Sequence, residues 1–570
     1  MRVSEAIVSA LQAEGIHHVF VVPGQAIDPL MDSLSCAPDI KTIICAHEAG
    51  AAFMADGYSR ASGRIGVCLT TSGPGFTNTL TPLATAFADR VSVLVISGEV
   101  SHRQEGRGAL QDSSAAGIDT HVMAMPVTVR QLSLSAPEQL YHHLHQLFAS
   151  MSGPATRGPT HLVIPVDFQS QQIDGSWHAV APGLCAPRLV DTEQTGQCLS
   201  RLNQHERIVI LAGAGCAEAG AGDALRQFAE QFSIPVATTL HAKGIFPETH
   251  PLSLGGFGWY GNLPAIDAMT GGETRTLLVL GSRLNMLDTL GWHDAFSRFD
   301  SLIVNDINPH LVSSVWPVDV FVTGDCLTFL QYLNRSSSLE LKHLAATVGI
   351  RRHWVQTMKR GGMSHAFTAS PSPVHPATVA LALQKTAPPD ARVFTDSGAH
   401  AFFIGHYLLM NSPGRFFSAV RTTGPMGWAI PAAIGAALAC PSAPCIAVTG
   451  DGCMLMHGTE IQTAARYQVP VIFVVMNNRA LGNPQLRARR NNPVLAAEYA
   501  LPQHDWAMFA CALGVQGYTV NHADELESVL ATAFARRETA LIDIRTGNVP
   551  TPTGAFDNHF SRMQTPSGTP

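Results

Sequence analysis

The 570 residues include 46% hydrophobic and 14% charged side chains, 49 glycines and a formal net charge of −7. That is the make-up of a compact, well-buried α/β protein, and it excludes a disordered chain, a fibrous repeat and a general nucleic-acid binder, whose phosphate contacts need a basic face. No run of about 18 apolar residues occurs, so no membrane-spanning helix is expected, and a chain of this length calls for more than one core, here three domains.

The N-terminal MRVSEAIVSALQAEGIHHVF reads as an amphipathic helix leading into a strand. It lacks the regions of a signal peptide, which points to the cytoplasm. His17 and His18 fall between that helix and strand and are read as structural. Through residue 168, HVFVVPG (18–24), IGVCLTTSGPG (65–75), VSVLVISG (91–98) and HLVIPVD (161–167) alternate with helical patterns, as in a doubly wound parallel sheet. The stretch 169–188 is polar, rich in Gly and Pro and without periodicity, which marks a linker. A second domain, 188–345, holds RIVILAGAG, PVATTL, TLLVLG and SLIVNDI. After the boundary at NRSSSLELKH and PSPVHP, a third domain, 370–550, holds VFTDSG, the helix GWAIPAAIGAALA, CIAVTG, VPVIFVVM and TALIDIRTG. The tail 551–570 is frayed or folded over a site. The eleven cysteines show no CxxC pair and no zinc spacing, so buried free thiols are expected, Cys36, Cys45, Cys68 and Cys216 among them.

The most informative segment lies in the third domain. CIAVTG (445–450) reads as a buried strand closed by Gly450-Asp451-Gly452, TEIQTAARY (459–467) as a helix, and VPVIFVVM (469–476) as a second strand closed by Asn477-Asn478. A right-handed βαβ unit brings Asp451 and Asn478 to one carboxyl edge. There a carboxylate, an amide oxygen and a backbone carbonyl suit Mg²⁺ sharing its shell with phosphate oxygens, while the glycines let backbone approach the phosphates.

This construction resembles the diphosphate anchor of thiamine diphosphate enzymes, and the chain is similar over essentially its full length to the acetolactate synthase, pyruvate oxidase and benzaldehyde lyase branch of that family. The resemblance implies three doubly wound parallel-sheet domains that bind pyrimidine, an optional flavin and diphosphate. It also implies thiamine diphosphate and Mg²⁺ as cofactors. It places Asp451, Asn478 and the Ala480 carbonyl on the metal, and Gly450, Gly452, Cys453 and Asn478 at the diphosphate. TDSGAH (395–400) resembles a diphosphate-side loop and carries over Ser397, Gly398 and His400. In GPMGWAIPAAIGA (424–436), Gly424 corresponds to the carbonyl that meets the aminopyrimidine and Met426 to the wedge that bends the cofactor. In AHEAGAAFMADGYSRASG (46–63) the activating glutamate falls on Glu48. LTTSGPGFTNTLTPLATAFADR (69–90) puts Asn78 near the cofactor, and the turn Pro23-Gly24-Gln25 brings Gly24 to it. A carboxyl beside pyrimidine N1′ makes the cofactor's own amino group the base for its C2 proton. ALQD (109–112) carries Gln111 where acetolactate synthases have a glutamine facing the reacting carbon. An amide there orients an oxygen without readily giving up a proton.

The implied activity is a carboligase that decarboxylates pyruvate or a similar 2-oxo acid donor and passes the acyl unit to a carbonyl acceptor. The alternatives are a lyase or decarboxylase on the same cofactor, and a noncatalytic scaffold that keeps the fold. The family further implies a homodimer or homotetramer in which Glu48 and Asp451 of different subunits meet. Three departures stand out. Gln25 replaces the second glycine of the PGG turn. NNRALGNPQLRARRNNP lacks the family's aromatic continuation and offers Arg487, Arg489 and Arg490 as a lid for anions or as a solvated basic loop. FAD is left open: LAGAG (211–215), TTLHAKG (238–244) and GSRLNML (281–287) lie where its contacts would fall, but Gly213-Ala214-Gly215 does not complete GxGxxG, and the usual charged run after Arg283 is missing.

Overall fold

The computed structural model describes residues 1–153, 156–180, 188–312, 315–336 and 340–554. Three six-stranded sheets follow one another along the chain. The first contains β1 (His18–Val22), β2 (Lys41–Ile44), β3 (Gly66–Thr70), β4 (Val93–Glu99), β5 (Arg130–Ser133) and β6 (Thr160–Pro165). The second contains β7 (Ile208–Ala212), β8 (Val236–Thr238), β9 (Ser253–Gly256), β10 (Thr276–Leu280), β11 (Ser301–Asp306) and β12 (Val320–Thr323). The third contains β13 (Arg392–Thr395), β14 (Phe416–Ser418), β15 (Cys445–Gly450), β16 (Val471–Asn477), β17 (Gln516–Val520) and β18 (Ala540–Arg545). The ladders within all three are parallel.

Strand order fixes where ligands can enter. The sheets run β2-β1-β3-β4-β6-β5, β12-β11-β10-β7-β8-β9 and β14-β13-β15-β16-β18-β17. Numbered within its own domain, the third sheet repeats the order of the first, whereas the middle sheet has the 3-2-1-4-5-6 order of dinucleotide-binding folds. Each order has one switch point where the winding reverses: between β1 and β3, between β7 and β10, and between β13 and β15. A crevice opens there beyond the carboxyl ends of the strands.

Inner strands such as β3, β7, β10 and β16 are buried along their whole length, because helices cover both faces of a parallel sheet. The first and third domains share one core. Helix α1 (Glu48–Ser62) lies against α2 (Ala429–Ala439). A Cβ on Gly57 would overlap the Ala432 carbonyl, and one on Gly435 the Met54 carbonyl, so the helices cross backbone to backbone and antiparallel. No described helix is long and apolar enough to cross a membrane. Cys45, Cys68 and Cys216 are buried, but Cys36 is exposed, since it caps the C-terminus of the helix Asp28–Ser35 instead of facing the sheet. Of the tail, Thr551 is buried and the Thr553 hydroxyl donates to the Trp259 carbonyl at 2.9 Å. Residues 555–570 lie outside the described residues, as do 181–187 of the linker.

Candidate active site

At the switch point of the first sheet, the segment that follows β3 gathers the first-domain candidates. Gly24, just past β1, faces Thr71, and a Cβ on it would sit 2.5 Å from that side chain. Gly73, at φ 62°, faces Gln111, itself at φ 60°, with only 3.0 Å between its Cβ position and the Gln111 Cβ. Asn78 Nδ2 donates to Glu48 Oε2 at 2.9 Å. Glu48 opens α1, where a carboxylate is favoured by the helix dipole, and the preceding His47 caps the helix by accepting from Ala49 N at 3.0 Å. Glu48 and Asn78 are half-buried, while Gln25 and Gln111 are exposed.

The equivalent switch point of the third sheet holds the other candidates. Ser397 and Gly398 follow β13, and Asp451 follows β15. Gly450 pairs with Met476 of β16, so the ends of the two strands lie side by side. Asp451 Oδ2 accepts from Arg479 N at 2.6 Å, and Asn478 Oδ1 from Ala480 N at 3.2 Å. The three proposed metal donors are thus adjacent. Among the described residues no cluster of three or more His, Cys, Asp or Glu suits a metal. The oxygens of a single carboxylate, one amide and one carbonyl, completed by phosphate, are what a hard Mg²⁺ ion takes.

His400 is buried. Burial lowers its pKa to about 4, against an opposing backbone hydrogen bond at Asp396, and its Nε2 has no partner. Beside the cavity, this spare ring nitrogen can donate to a phosphate oxygen once it carries a proton, a state that an anionic ligand favours. Gly398 and Gly450 leave room for the ring, since their Cβ positions lie 2.5 and 3.0 Å from it, and Gly452 does the same for the Met426 methyl at 2.7 Å. Ser397, Gly398, His400, Met426, Gly450, Asp451, Gly452, Cys453, Asn478 and Ala480 all line one cavity. Gly424, at φ 61°, stands behind it with its Cβ position 3.6 Å from Ser397 Oγ.

Several supporting residues carry no motif of their own. Asp396 is buried and joins two elements, its Oδ1 accepting from Ala429 N at 2.8 Å and its Oδ2 from the Thr449 hydroxyl at 2.7 Å. Trp506 Nε1 donates to Asp451 Oδ1 at 3.0 Å. Asp543 of β18 accepts from Asn477 Nδ2 at 2.8 Å and from Trp506 N at 3.0 Å. Of the asparagine pair, then, Asn478 lines the cavity and Asn477 braces the frame. Thr546 to Val549 also line the cavity, although the sequence marked only a strand end there.

Two local expectations change. Asp451 starts a helix, α3 (Asp451–His457), which the sequence placed only from 459; the carboxylate in its first turn suits that helix end. The basic segment after Asn478 is a helix, α4 (Gly482–Asn491), which tolerates Pro484 because it lies in the first turn. Arg489 donates to Gln485 Oε1 at 2.9 Å and to the Asn548 carbonyl at 3.4 Å, tying α4 to the cavity wall.

The two half-sites are not joined within one chain. The third-domain cavity is only about 50 Å³, and none of its lining residues belongs to the first domain. A site that encloses a ligand needs several hundred Å³. Trp428, two residues past Met426, docks on Asp56 and Arg60, with its Nε1 2.7 Å from Asp56 Oδ2. That is two or more helical turns along α1 from Glu48.

Comparison with known proteins accords with this division. Models of the thiamine pyrophosphate enzymes match in three pieces: the N-terminal TPP binding domain at residues 1–118, the central domain at 196–333 and the C-terminal TPP binding domain at 396–544. The probable acetolactate synthase large subunit of Methanocaldococcus jannaschii is 32% identical over 564 residues, 95% of this chain and 92% of that one. The acetolactate synthase large subunit of Corynebacterium glutamicum is 31% identical, covering 84% and 75%, and the isozyme 3 large subunit of Escherichia coli is 29% identical, covering 93% and 92%. The chain belongs to the thiamine pyrophosphate enzyme family, on the side of the acetolactate synthase large subunits.

Proposed function

We propose that this enzyme decarboxylates pyruvate or a similar 2-oxo acid and transfers the acyl unit to a second carbonyl compound, with acetolactate as the product when pyruvate serves in both roles. The observation that carries this reading is the presence of two half-sites at equivalent switch points, Glu48 with Asn78 in one and the Asp451, Asn478 and His400 cradle in the other. Thiamine diphosphate, once bound, supplies a carbon nucleophile and holds the electrons released on decarboxylation.

The protein's own part is to bind, orient and move protons. Asp451, Asn478 and the Ala480 carbonyl hold Mg²⁺, and His400, Ser397, Gly398, Gly450, Gly452 and Cys453 surround the diphosphate. Met426 in the cavity lining, Gly424 beside it and Gly24 at the first-domain switch point would contact the cofactor's rings. Glu48, fixed in direction by Asn78, exchanges a proton with the pyrimidine nitrogen. Gln111 faces the acceptor and directs its oxygen without offering an acidic proton. In this reading the pyrimidine-binding, middle and diphosphate-binding domains are residues 1–168, 188–345 and 370–550.

Because neither half-site is complete alone, the working unit in this reading is a homodimer or a pair of dimers. Exposed apolar side chains flank both halves, Leu110, Val122 and Met125 in the first domain and Leu455, Met456 and Val494 in the third, as an interface between copies would need. The ten described cysteines are free, which suits a reducing cytoplasm.

FAD is an optional second cofactor in this reading, with a structural role if it is bound. A cavity of about 560 Å³ opens at the β7/β10 switch point, where Gly215, Gly281, Arg283 and Asp306 of the middle domain meet Arg90 and Arg421. Arginines at a dinucleotide crevice suit a pyrophosphate. The absorption spectrum of the purified protein tests this, and a colourless, fully active enzyme would remove FAD from the reading.

The decisive assay incubates the enzyme with pyruvate, thiamine diphosphate and Mg²⁺ and measures acetolactate against free acetaldehyde. Acetolactate as the main product supports ligation, and acetaldehyde alone assigns the protein to the decarboxylases. Glu48→Gln should leave cofactor and metal binding largely intact while slowing exchange of the cofactor C2 proton by about a hundredfold or more.

A further inference from the structure

Glu99 ends β4 at the same carboxyl edge as Gly24 and Thr71, and the reaction as read above does not use it. Its side chain is buried, with the residue 2% exposed. Oε1 accepts from Val100 N at 2.8 Å and from Ser113 N at 3.0 Å, while Oε2 is buried without a partner. Burial, helped by the nearby charges of Asp112 and Glu105, raises its pKa to about 7 against the pull of the two backbone N–H groups. An apolar residue would avoid the cost of that unpaired oxygen but would lose the tie to Ser113.

That tie reaches Gln111. The Ser113 hydroxyl donates to the Gln111 carbonyl at 3.0 Å and accepts from Gly73 N at 2.6 Å, and the Ser113 carbonyl accepts from Thr120 N at 3.0 Å. Around it the loop is open, with Leu110 86% exposed. Gln111 stands at φ 60°, a region a side chain occupies at some energetic cost and keeps only where its surroundings dictate it. Ser113 is the buried staple of this turn, and Glu99 holds the staple.

We propose that Glu99 is a positioning residue for the acceptor half of the reaction, which through Ser113 holds the Gln111 turn against Gly73. This rests on the reading in which Gln111 faces the acceptor. Glu99→Leu and Ser113→Ala both cut the chain of contacts, whereas Glu99→Gln keeps an oxygen for both N–H groups.

The experiment measures, for each variant with thiamine diphosphate and Mg²⁺, single-turnover carbon dioxide release from pyruvate, the acceptor KM and the ratio of ligation product to free aldehyde. Glu99→Leu and Ser113→Ala should raise the acceptor KM about tenfold and shift product towards free aldehyde, with carbon dioxide release within about twofold of the wild type and Glu99→Gln close to wild type. The proposal is overturned if Ser113→Ala leaves KM and product ratio unchanged, if Glu99→Gln falls as far as Glu99→Leu, or if carbon dioxide release drops in parallel with ligation. Should Glu99→Leu fail to fold, Glu99→Met, which keeps the side-chain volume and removes both oxygens, takes its place, since Ser113→Ala leaves the Ser113 N–H to Glu99 untouched. A wild type that releases carbon dioxide but forms no ligation product refutes the underlying reading instead.

Discussion

Asp396 follows β13 and His400 lies in the first turn of the next helix, Ala399–Tyr407, and exclusion from water shifts both towards the uncharged form. Burial keeps the His400 imidazole neutral down to about pH 4, and its free Nε2 takes up the proton it needs to bond phosphate when the anion is present. His400→Ala should weaken thiamine diphosphate binding by about 10- to 100-fold, the worth of a hydrogen bond to a charged group, as read by tryptophan fluorescence titration. Burial likewise raises Asp396 to about 6. The folded protein therefore keeps a proton that the unfolded chain releases above about pH 4. This group's contribution to stability is full below the unfolded pKa and is lost as pH rises through about 6, a swing of about 3 kcal/mol. Asp396→Asn removes the swing, so its thermal midpoint relative to wild type should climb between pH 4 and 6.5, and a flat difference would contradict the assignment.

Residues such as Asp451 and Glu48 were legible because each sits inside a run of chain whose neighbours share the task. Asp396, Trp506 and Asp543 were not, since their partners Ala429, Asp451 and Asn477 lie on other elements and only folding brings them together.

Among the elements, the twelve inner strands could be read from the sequence as apolar runs, while β2, β5, β9, β12, β14 and β17 could not. These six are the edge strands of the three sheets. Segments such as RQLS in β5 or SLGG in β9 need no continuous apolar run, because an edge has a neighbour on one side only, and short or polar edges also discourage pairing with other chains. Glycines carry a similar positional message. At the crossing of α1 and α2, Gly57→Ala and Gly435→Ala would drive a methyl into backbone and should each cost about 1–3 kcal/mol. Gly196, exposed within the helix Thr192–Leu202 with nothing near its Cβ position, should instead gain about 0.5–1 kcal/mol on substitution by alanine. Chemical denaturation of the three variants separates the cases.

At the scale of the whole molecule, a buried ionic network fastens the first domain to the third. Arg60 bonds Asp56 and Asp89 at 2.8 Å each, and Arg421 approaches Asp89 at 3.5 Å. Among the described residues, removing Arg60 leaves Asp56 without a cation and Asp89 with Arg421 alone, so Arg60→Met should lower stability by about 3–5 kcal/mol, measured by denaturant titration. The proposed sharing of one site between two copies makes a sharper prediction. Glu48→Gln and Asp451→Asn chains should each be nearly inactive alone. Unfolded together and refolded as mixed dimers, they should recover about a quarter of wild-type activity, since half the dimers are mixed and each has one intact site. No recovery would place both groups in one chain.

The repeated strand order of the first and third sheets bears on how such a site could arise. Two copies of one fold carry the same crevice at the same place, so a duplicated domain begins with two equivalent pockets. Once one pocket holds the inert end of a ligand through oxygen donors and bare glycines, the other is released from that duty and can change its chemistry. This accounts for why the two halves share a topology but no motif, with Gly-Asp-Gly in one and a glutamate and an asparagine in the other. It also locates where relatives of this enzyme can diverge in reaction without losing the cofactor: in the loops after β1 and β4, where Gln25 and Gln111 stand, and at Glu99, the last residue of β4.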